Sequence, residues 1–287
     1  MIRGLIKTMR IRQWTKNAFI FAAIVFDGKL FHLPDLLRTL AGFGLFCLIS
    51  STVYIFNDLL DLEADRRHPI KKNRPIASGK LPASVAVTAG IIFFLLTILL
   101  GYLLTWQFAL VLLAYFAMMM VYSKWLKHIP IIDVFILATG FVLRVHAGTT
   151  LIQVQRFSPW LYVCMTLLAL YLGFGKRRAE LALLADNAGG HRKVLEGYSI
   201  PLLDNYIIIV SGTFIVAYSL YTFFRPDAPL DLMLTIPFVV YAVFRYLYVI
   251  HINHAGGEPE EILLKDRPLQ LAIALWGLTV LITFYFT

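Results

Sequence analysis

The sequence predicts an all-α, polytopic membrane protein with about nine transmembrane helices, and three observations carry that expectation. Apolar residues make up 59% of the 287 positions and charged residues only 15%. A soluble domain has about 45–50% and 25%, so this chain cannot cover a water-facing surface. The apolar residues fall in runs near the ~20 residues that a helix needs to cross a ~30 Å hydrocarbon core. The Lys and Arg residues, finally, are partitioned between the connections on alternate sides.

The spans are read at 17–33, 36–57, 82–104, 107–122, 129–150, 158–174, 203–224, 231–250 and 268–286. The first is the weakest: it is short, and Asp27 and Gly28 interrupt it, as in a tilted or partly broken helix. Nine spans place the N-terminal arm and the loops after spans two, four, six and eight on one side. Of the 26 Lys and Arg, twenty lie there and four (Lys29, Arg38, Arg156 and Arg225) lie opposite, with Arg144 and Arg245 inside spans. By the positive-inside rule the rich side is cytoplasmic. Residues 1–287 are read as one membrane domain whose two long cytoplasmic loops, about 58–81 and 175–202, carry the chemistry.

The basic N-terminal arm and the absence of a small-residue cleavage site predict a retained, cytoplasmic N-terminus. Cys47 and Cys164 each sit alone in an apolar run and read as small buried hydrophobes. The net charge of +9 is interrupted by membrane spans and forms no continuous basic face. That pattern excludes nucleic acid as the partner and points to anionic lipid or a phosphorylated substrate.

The sharpest local signal is Asn57-Asp58-Leu59-Leu60-Asp61-Leu62-Glu63-Ala64-Asp65 at the cytoplasmic end of span two. If the helix continues, a 100° turn per residue puts Asp58, Asp61 and Asp65 within about 60° of one another, with Asn57 at the edge of the stripe. Glu63 projects elsewhere. Three carboxylates on one face at a membrane boundary repel each other unless a cation neutralises them. Oxygen donors without His or Cys favour Mg²⁺, which bridges readily to phosphates. A solvated helix end paired with Arg66 and Arg67 is the alternative.

Downstream, His68-Pro69-Ile70-Lys71-Lys72-Asn73-Arg74-Pro75 breaks the helix into a loop dense in cationic donors. Lys71 and Arg74 there suit the oxygens of a pyrophosphate. After span six, Lys176-Arg177-Arg178-Ala179-Glu180, continuing to Arg192, forms a second cationic pole, with Lys176 and Glu180 sharing a face and Arg178 pointing away. Arg144, deep in span five, is expensive unless it faces a polar cavity. Lys124, in the link between spans four and five, is read either as a cavity cation or as an interface anchor.

The acidic stripe after a second membrane helix in a nine-span chain resembles the UbiA superfamily of intramembrane prenyltransferases. The resemblance covers nearly the whole chain. It implies an all-helical bundle around a central cavity, Mg²⁺ and pyrophosphate bound at cytoplasmic Asp-rich motifs, and a polyprenyl chain admitted from the bilayer. Typical members carry a second Asp-x-x-x-Asp motif after span six; here that position reads Lys176-Arg177-Arg178-Ala179-Glu180. This departure resembles the decaprenyl-phosphate phosphoribosyltransferase branch. Further matching stretches are Arg10-x-Arg12-Gln13-Trp14-x-Lys16-Asn17, with Ile11 where Pro is expected, Asp65-Arg66-x-His68-Pro69-x-Lys71-x-x-Arg74-Pro75-Ile76-Ala77-Ser78-Gly79, and Glu260-Glu261-x-x-x-Lys265-Asp266-Arg267.

The branch implies transfer of 5-phosphoribose from phosphoribosyl pyrophosphate to a polyprenyl phosphate, with release of pyrophosphate, for cell-envelope glycan precursors. The expected roles follow. Asn57, Asp58, Asp61 and Asp65 hold Mg²⁺; Lys71 and Arg74 neutralise the leaving group; Lys176, Arg177 and Arg192 bind a phosphate; Lys16, Lys124 and Arg144 complete the cavity. The rivals are an aromatic prenyltransferase using a polyprenyl diphosphate and an anion transporter. A homo-oligomer is compatible with the sequence.

Overall fold

The computed structural model describes residues 1–152, 154, 158–186, 193–224, 230–252 and 259–286, and those residues are helical with connecting turns. In chain order the α-helices are α1 (Ile2–Thr8), α2 (Ala22–Phe26), α3 (Leu33–Leu60), α4 (Leu62–Arg67), α5 (Ala83–Leu104), α6 (Trp106–Lys124), α7 (Ile132–Leu151), α8 (Pro159–Asp186), α9 (Ile200–Phe224), α10 (Ile236–Ile252), α11 (Pro259–Lys265) and α12 (Arg267–Tyr285). Among the described residues, eight helical segments are long and apolar enough to cross a membrane. They correspond to the second through ninth expected spans.

The first expected span is instead a 3₁₀-helix, Ile11–Phe21, followed by the short α2. Its geometry explains its composition. A 3₁₀-helix repeats every three residues, so Trp14, Asn17 and Ile20 line one side. The Trp14 indole N–H donates to Ser51 Oγ at 3.0 Å, and Asn17 Nδ2 reaches Ser50 Oγ at 3.1 Å and Cys47 Sγ at 3.3 Å. Ile20 is fully buried. The small residues Ser50 and Ser51 on α3 let the arm approach closely. Gly28, at φ +70, then turns the chain in a conformation that L side chains resist.

The chain forms two compact units, residues 1–127 with 140–154, and residues 128–139 with 155–287. In the first, α3 is the central helix, packed by the arm, α5 and α6. Ile20, Ile24, Phe46, Ile49, Phe108, Leu112, Tyr115, Ala147 and Leu151 make its core. Thr105 ends α5 and caps α6, its hydroxyl accepting from the Phe108 N–H at 3.1 Å. Ile91, Ile92, Leu95, Leu99 and Leu103 on α5 remain exposed. In water that face would be unstable; in a bilayer it is the expected lipid-facing surface.

In the second unit α8 packs along α9, and α10 along α12. A Cβ at Gly173 would lie 2.6 Å from Val134 Cγ1, and one at Gly175 would lie 2.7 Å from the Tyr246 hydroxyl. These glycines mark close approach of neighbouring helices. The Tyr171 hydroxyl donates to the Val243 carbonyl at 2.7 Å.

Candidate active site: two charged centres

In the first unit the acidic stripe does not continue as one straight helix. α3 ends at Leu60, and Asp61 adopts φ −91, ψ 7 before α4 begins. The ladder survives the kink: Asp61 N donates to Asn57 O at 3.0 Å and Asp65 N to Asp61 O at 2.8 Å. The three carboxylates consequently divide between partners. Asp58 and Asp65 are buried, at 3% and 2% exposure, and converge on Arg74. Its Nη1 lies 3.0 Å from Asp58 Oδ1 and 2.6 Å from Asp65 Oδ2. Arg10 Nη2 adds a second guanidinium to Asp58 Oδ1 at 2.6 Å. Asp61 is more open and accepts from Lys127 Nζ at 2.6 Å.

The loop that delivers Arg74 is locally specified. His68 Nδ1 accepts from the Ile70 and Lys71 N–H groups at 3.2 and 3.3 Å, turning the chain across Pro69. Residues Lys71–Asn73 form a 3₁₀ turn, and Gly79, at φ +75, closes the loop. Half-buried Lys71 stands on this turn, three residues before Arg74.

Arg144, also in the first unit, is 6% exposed. It donates from Nε to Asn17 Oδ1 at 2.8 Å, from Nη1 to the Gly140 carbonyl at 2.7 Å and from Nη2 to the Tyr115 hydroxyl at 2.9 Å. The rings of Phe46, Tyr115 and Phe141 surround the guanidinium at 5.0–5.4 Å. Neutral oxygens and π-faces therefore solvate this charge. Through Asn17 it anchors the 3₁₀ arm that carries half-buried Lys16. Lys124 is exposed at the end of α6, its Nζ 4.5 Å from the Trp125 ring centroid.

The second unit holds a separate centre. Arg177 is 2% exposed and Asp133 0%. Arg177 Nε donates to Asp133 Oδ2 at 2.6 Å, and Nη1 to Glu180 Oε2 at 2.7 Å. Glu180 is thus paired with Arg177, and Lys176 is half-buried on the same helix. The Tyr198 hydroxyl donates to Asp133 Oδ1 at 2.7 Å and accepts from the Ile131 N–H, holding Ile131 at φ 68, a conformation that β-branched residues avoid. Burial, reinforced by Asp133, pushes the Tyr198 phenol well above its ordinary range, so it stays a donor. Arg178, expected to point away, pairs with Asp204, which also lies 3.2 Å from His251 Nε2. Arg192 lies outside the described residues, as does the side-chain environment of Glu260 and Glu261.

Arg10, Asn17, Lys127, Asp133 and Tyr198 were not among the expected site residues. Arg10 and Asn17 had a signal in the Arg10-x-Arg12-Gln13-Trp14-x-Lys16-Asn17 stretch. Lys127 and Asp133 were visible only as charges near span boundaries, and Tyr198 had no signal.

Among the described residues no three His, Cys, Asp or Glu side chains converge as a metal cage. The donor chemistry of the first centre nonetheless fits a hard cation. Two buried carboxylates already face one positive nitrogen, and the donors they offer are oxygens.

The UbiA prenyltransferase family model matches residues 18–256. The chain is 35% identical to decaprenyl-phosphate phosphoribosyltransferase of Mycolicibacterium smegmatis, covering 100% of this chain and 94% of that protein. It is 32% identical to the protein of the same name from Corynebacterium glutamicum, covering 98% and 87%. Among solved structures, a UbiA homolog from Archaeoglobus fulgidus bound to DMAPP and Mg²⁺ superposes with a TM-score of 0.72 at 17% identity, over 98% of this chain and 99% of that one.

Proposed function

The chain belongs to the UbiA prenyltransferase family, and from that premise we propose that it transfers 5-phosphoribose from 5-phosphoribosyl 1-pyrophosphate to a polyprenyl phosphate of the decaprenyl type. The observation that carries this reading is full-length identity of 32–35% to decaprenyl-phosphate phosphoribosyltransferases. The second charged centre supports it. Where a prenyl-diphosphate enzyme of this family would present two carboxylates for a second metal, this chain has Lys176 and a Glu180 already paired with Arg177.

In this reading Asp58 and Asp65, with Asp61 and Asn57, would hold the Mg²⁺ that the donor pyrophosphate requires. When bound, the ion supplies charge neutralisation on the leaving group. Lys71 and Arg74 hydrogen-bond the pyrophosphate oxygens. Lys176 and Arg192 take a remaining phosphate, and Arg177 acts through Asp133 as a positioning residue. Arg144 and Lys16 order the arm beside the donor. An oxygen of the acceptor phosphate attacks ribose C1 as the C1–O bond to pyrophosphate breaks. That oxygen is already ionised, so no strong general base is required. Rate enhancement then comes from positioning and from stabilising an oxocarbenium-like transition state. The positive-inside distribution of Lys and Arg supports a cytoplasmic face for this chemistry.

The test uses purified protein in detergent with labelled phosphoribosyl pyrophosphate, a polyprenyl phosphate and Mg²⁺, and an EDTA control. Metal-dependent formation of labelled lipid with release of pyrophosphate is expected. Absence of labelled lipid with turnover of a prenyl diphosphate would establish the aromatic prenyltransferase alternative instead.

A further inference from the structure

Asp58 Oδ1 is claimed by two cations at once, Arg10 Nη2 at 2.6 Å and Arg74 Nη1 at 3.0 Å. The two are not equivalent. Arg74 also binds Asp65 and thereby ties the loop to α4, whereas Arg10 comes from the N-terminal arm and, among the described residues, pairs with Asp58 alone. Arg10 occupies a left-handed backbone position, φ 52 and ψ 54, at the junction of α1 and the 3₁₀-helix. That conformation is unfavourable for a side chain of this size, and here it points the guanidinium at Asp58. The guanidinium also stacks 4.7 Å from the centroid of Tyr54, one turn before Asp58 on α3. Its side chain is 30% exposed while Asp58 is 3% exposed, so it reaches from the open side into a buried carboxylate.

The charges balance: two buried carboxylates against two guanidinium groups. A divalent cation can replace the guanidinium charge on Asp58 and Asp65 without leaving either carboxylate unneutralised, and a guanidinium so released needs another anion. We propose that Arg10 is a pyrophosphate-binding residue that exchanges partners, leaving Asp58 to a divalent cation and moving, on its Tyr54 platform, to the pyrophosphate oxygens. Arg10 therefore opposes metal binding to the protein alone and assists pyrophosphate binding once the metal is present. This rests on the assignment of Asp58 to the metal in the proposed function.

The test titrates the full chain in detergent with Mn²⁺, followed by the free-ion electron paramagnetic resonance signal. It then titrates Mn²⁺-saturated protein with inorganic pyrophosphate by calorimetry. Wild type, Arg10→Gln and Asp58→Asn are compared. Arg10→Gly, which suits the left-handed backbone, stands in should the Gln variant misfold. Arg10→Gln is expected to tighten Mn²⁺ and to weaken pyrophosphate by about ten- to a hundredfold, the span expected for one charge-assisted hydrogen bond. These opposite signs are the signature, since a purely structural role for Arg10 would not strengthen one ligand while weakening the other. Mn²⁺ binding lost in Asp58→Asn but unchanged or weakened in Arg10→Gln overturns the exchange and leaves the metal assignment standing. Unchanged pyrophosphate affinity in Arg10→Gln also overturns it. Mn²⁺ binding that is absent, or indifferent to Asp58→Asn, overturns both.

Discussion

Arg177 and Asp133, 44 residues apart in sequence, form an ion pair at 2.6 Å in which neither side chain is more than 2% exposed. Removing Asp133 leaves the buried Arg177 guanidinium to partly exposed Glu180, and breaking a buried pair in this way costs about 3–5 kcal/mol. Asp133→Ala is expected to lower the thermal unfolding midpoint of the detergent-purified protein sharply. The double change Asp133→Leu with Arg177→Met should recover most of that loss. If the double variant is as unstable as Asp133→Ala, the pair does more than neutralise itself.

The acidic centre has a different signature. Asp58→Asn and Asp61→Asn keep the shape of each side chain while removing the charge that a metal and its phosphate need. Each is expected to reduce kcat/KM by about 10²–10³ or more, with the unfolding midpoint changing little for half-open Asp61. Wild-type turnover in either variant would remove that carboxylate from the chemistry.

Arg144→Lys tests the anchoring of the arm. Lysine keeps the charge but cannot reproduce a fork that reaches Asn17, Gly140 and Tyr115 together. Each orphaned buried group costs about 1–3 kcal/mol. A loss of stability with increased proteolysis near residues 11–21 is expected. Gly148→Ala should behave alike, since its Cβ would lie 2.1 Å from the Ile20 carbonyl oxygen. Unaltered cleavage kinetics in both would argue against arm docking as the role of this contact.

Asp266 supplies a pH dependence. It caps α12, accepting from Leu269 N at 2.9 Å, and is held by Arg245 at 2.9 and 3.0 Å. The Arg245 hydrogen bond, ahead of the cap, holds its carboxyl below the usual range. A depressed folded-state value means that the stabilisation is complete above the unfolded value, near 3.9, and is lost as pH falls through the lower folded one. Acid unfolding below about pH 4 should therefore become shallower in Asp266→Asn, which is also less stable at neutral pH. An unchanged acid limb would show that Asp266 does not contribute to it.

The membrane class, the position of eight spans and the acidic stripe were legible in the sequence, because each is set by composition or by periodicity within a single helix. The first span was legible only as a defect. Its three-residue repeat of Trp14, Asn17 and Ile20 makes sense once the serines of α3 are known to lie beneath it.

Partner choice was not legible. The sequence placed Asp58, Asp61 and Asp65 on one helix face and set the cations of residues 71–74 and 176–177 against phosphates. What the sequence did not show is that the backbone change at Asp61 and contacts across 48, 66 and 44 residues join Arg10 to Asp58, Lys127 to Asp61 and Arg177 to Asp133. Helix periodicity assigns a residue to a face but says nothing of what another segment brings there. Burial of a charge forces it to take whichever opposite charge or dipole the packing delivers, and only the tertiary structure decides which that is.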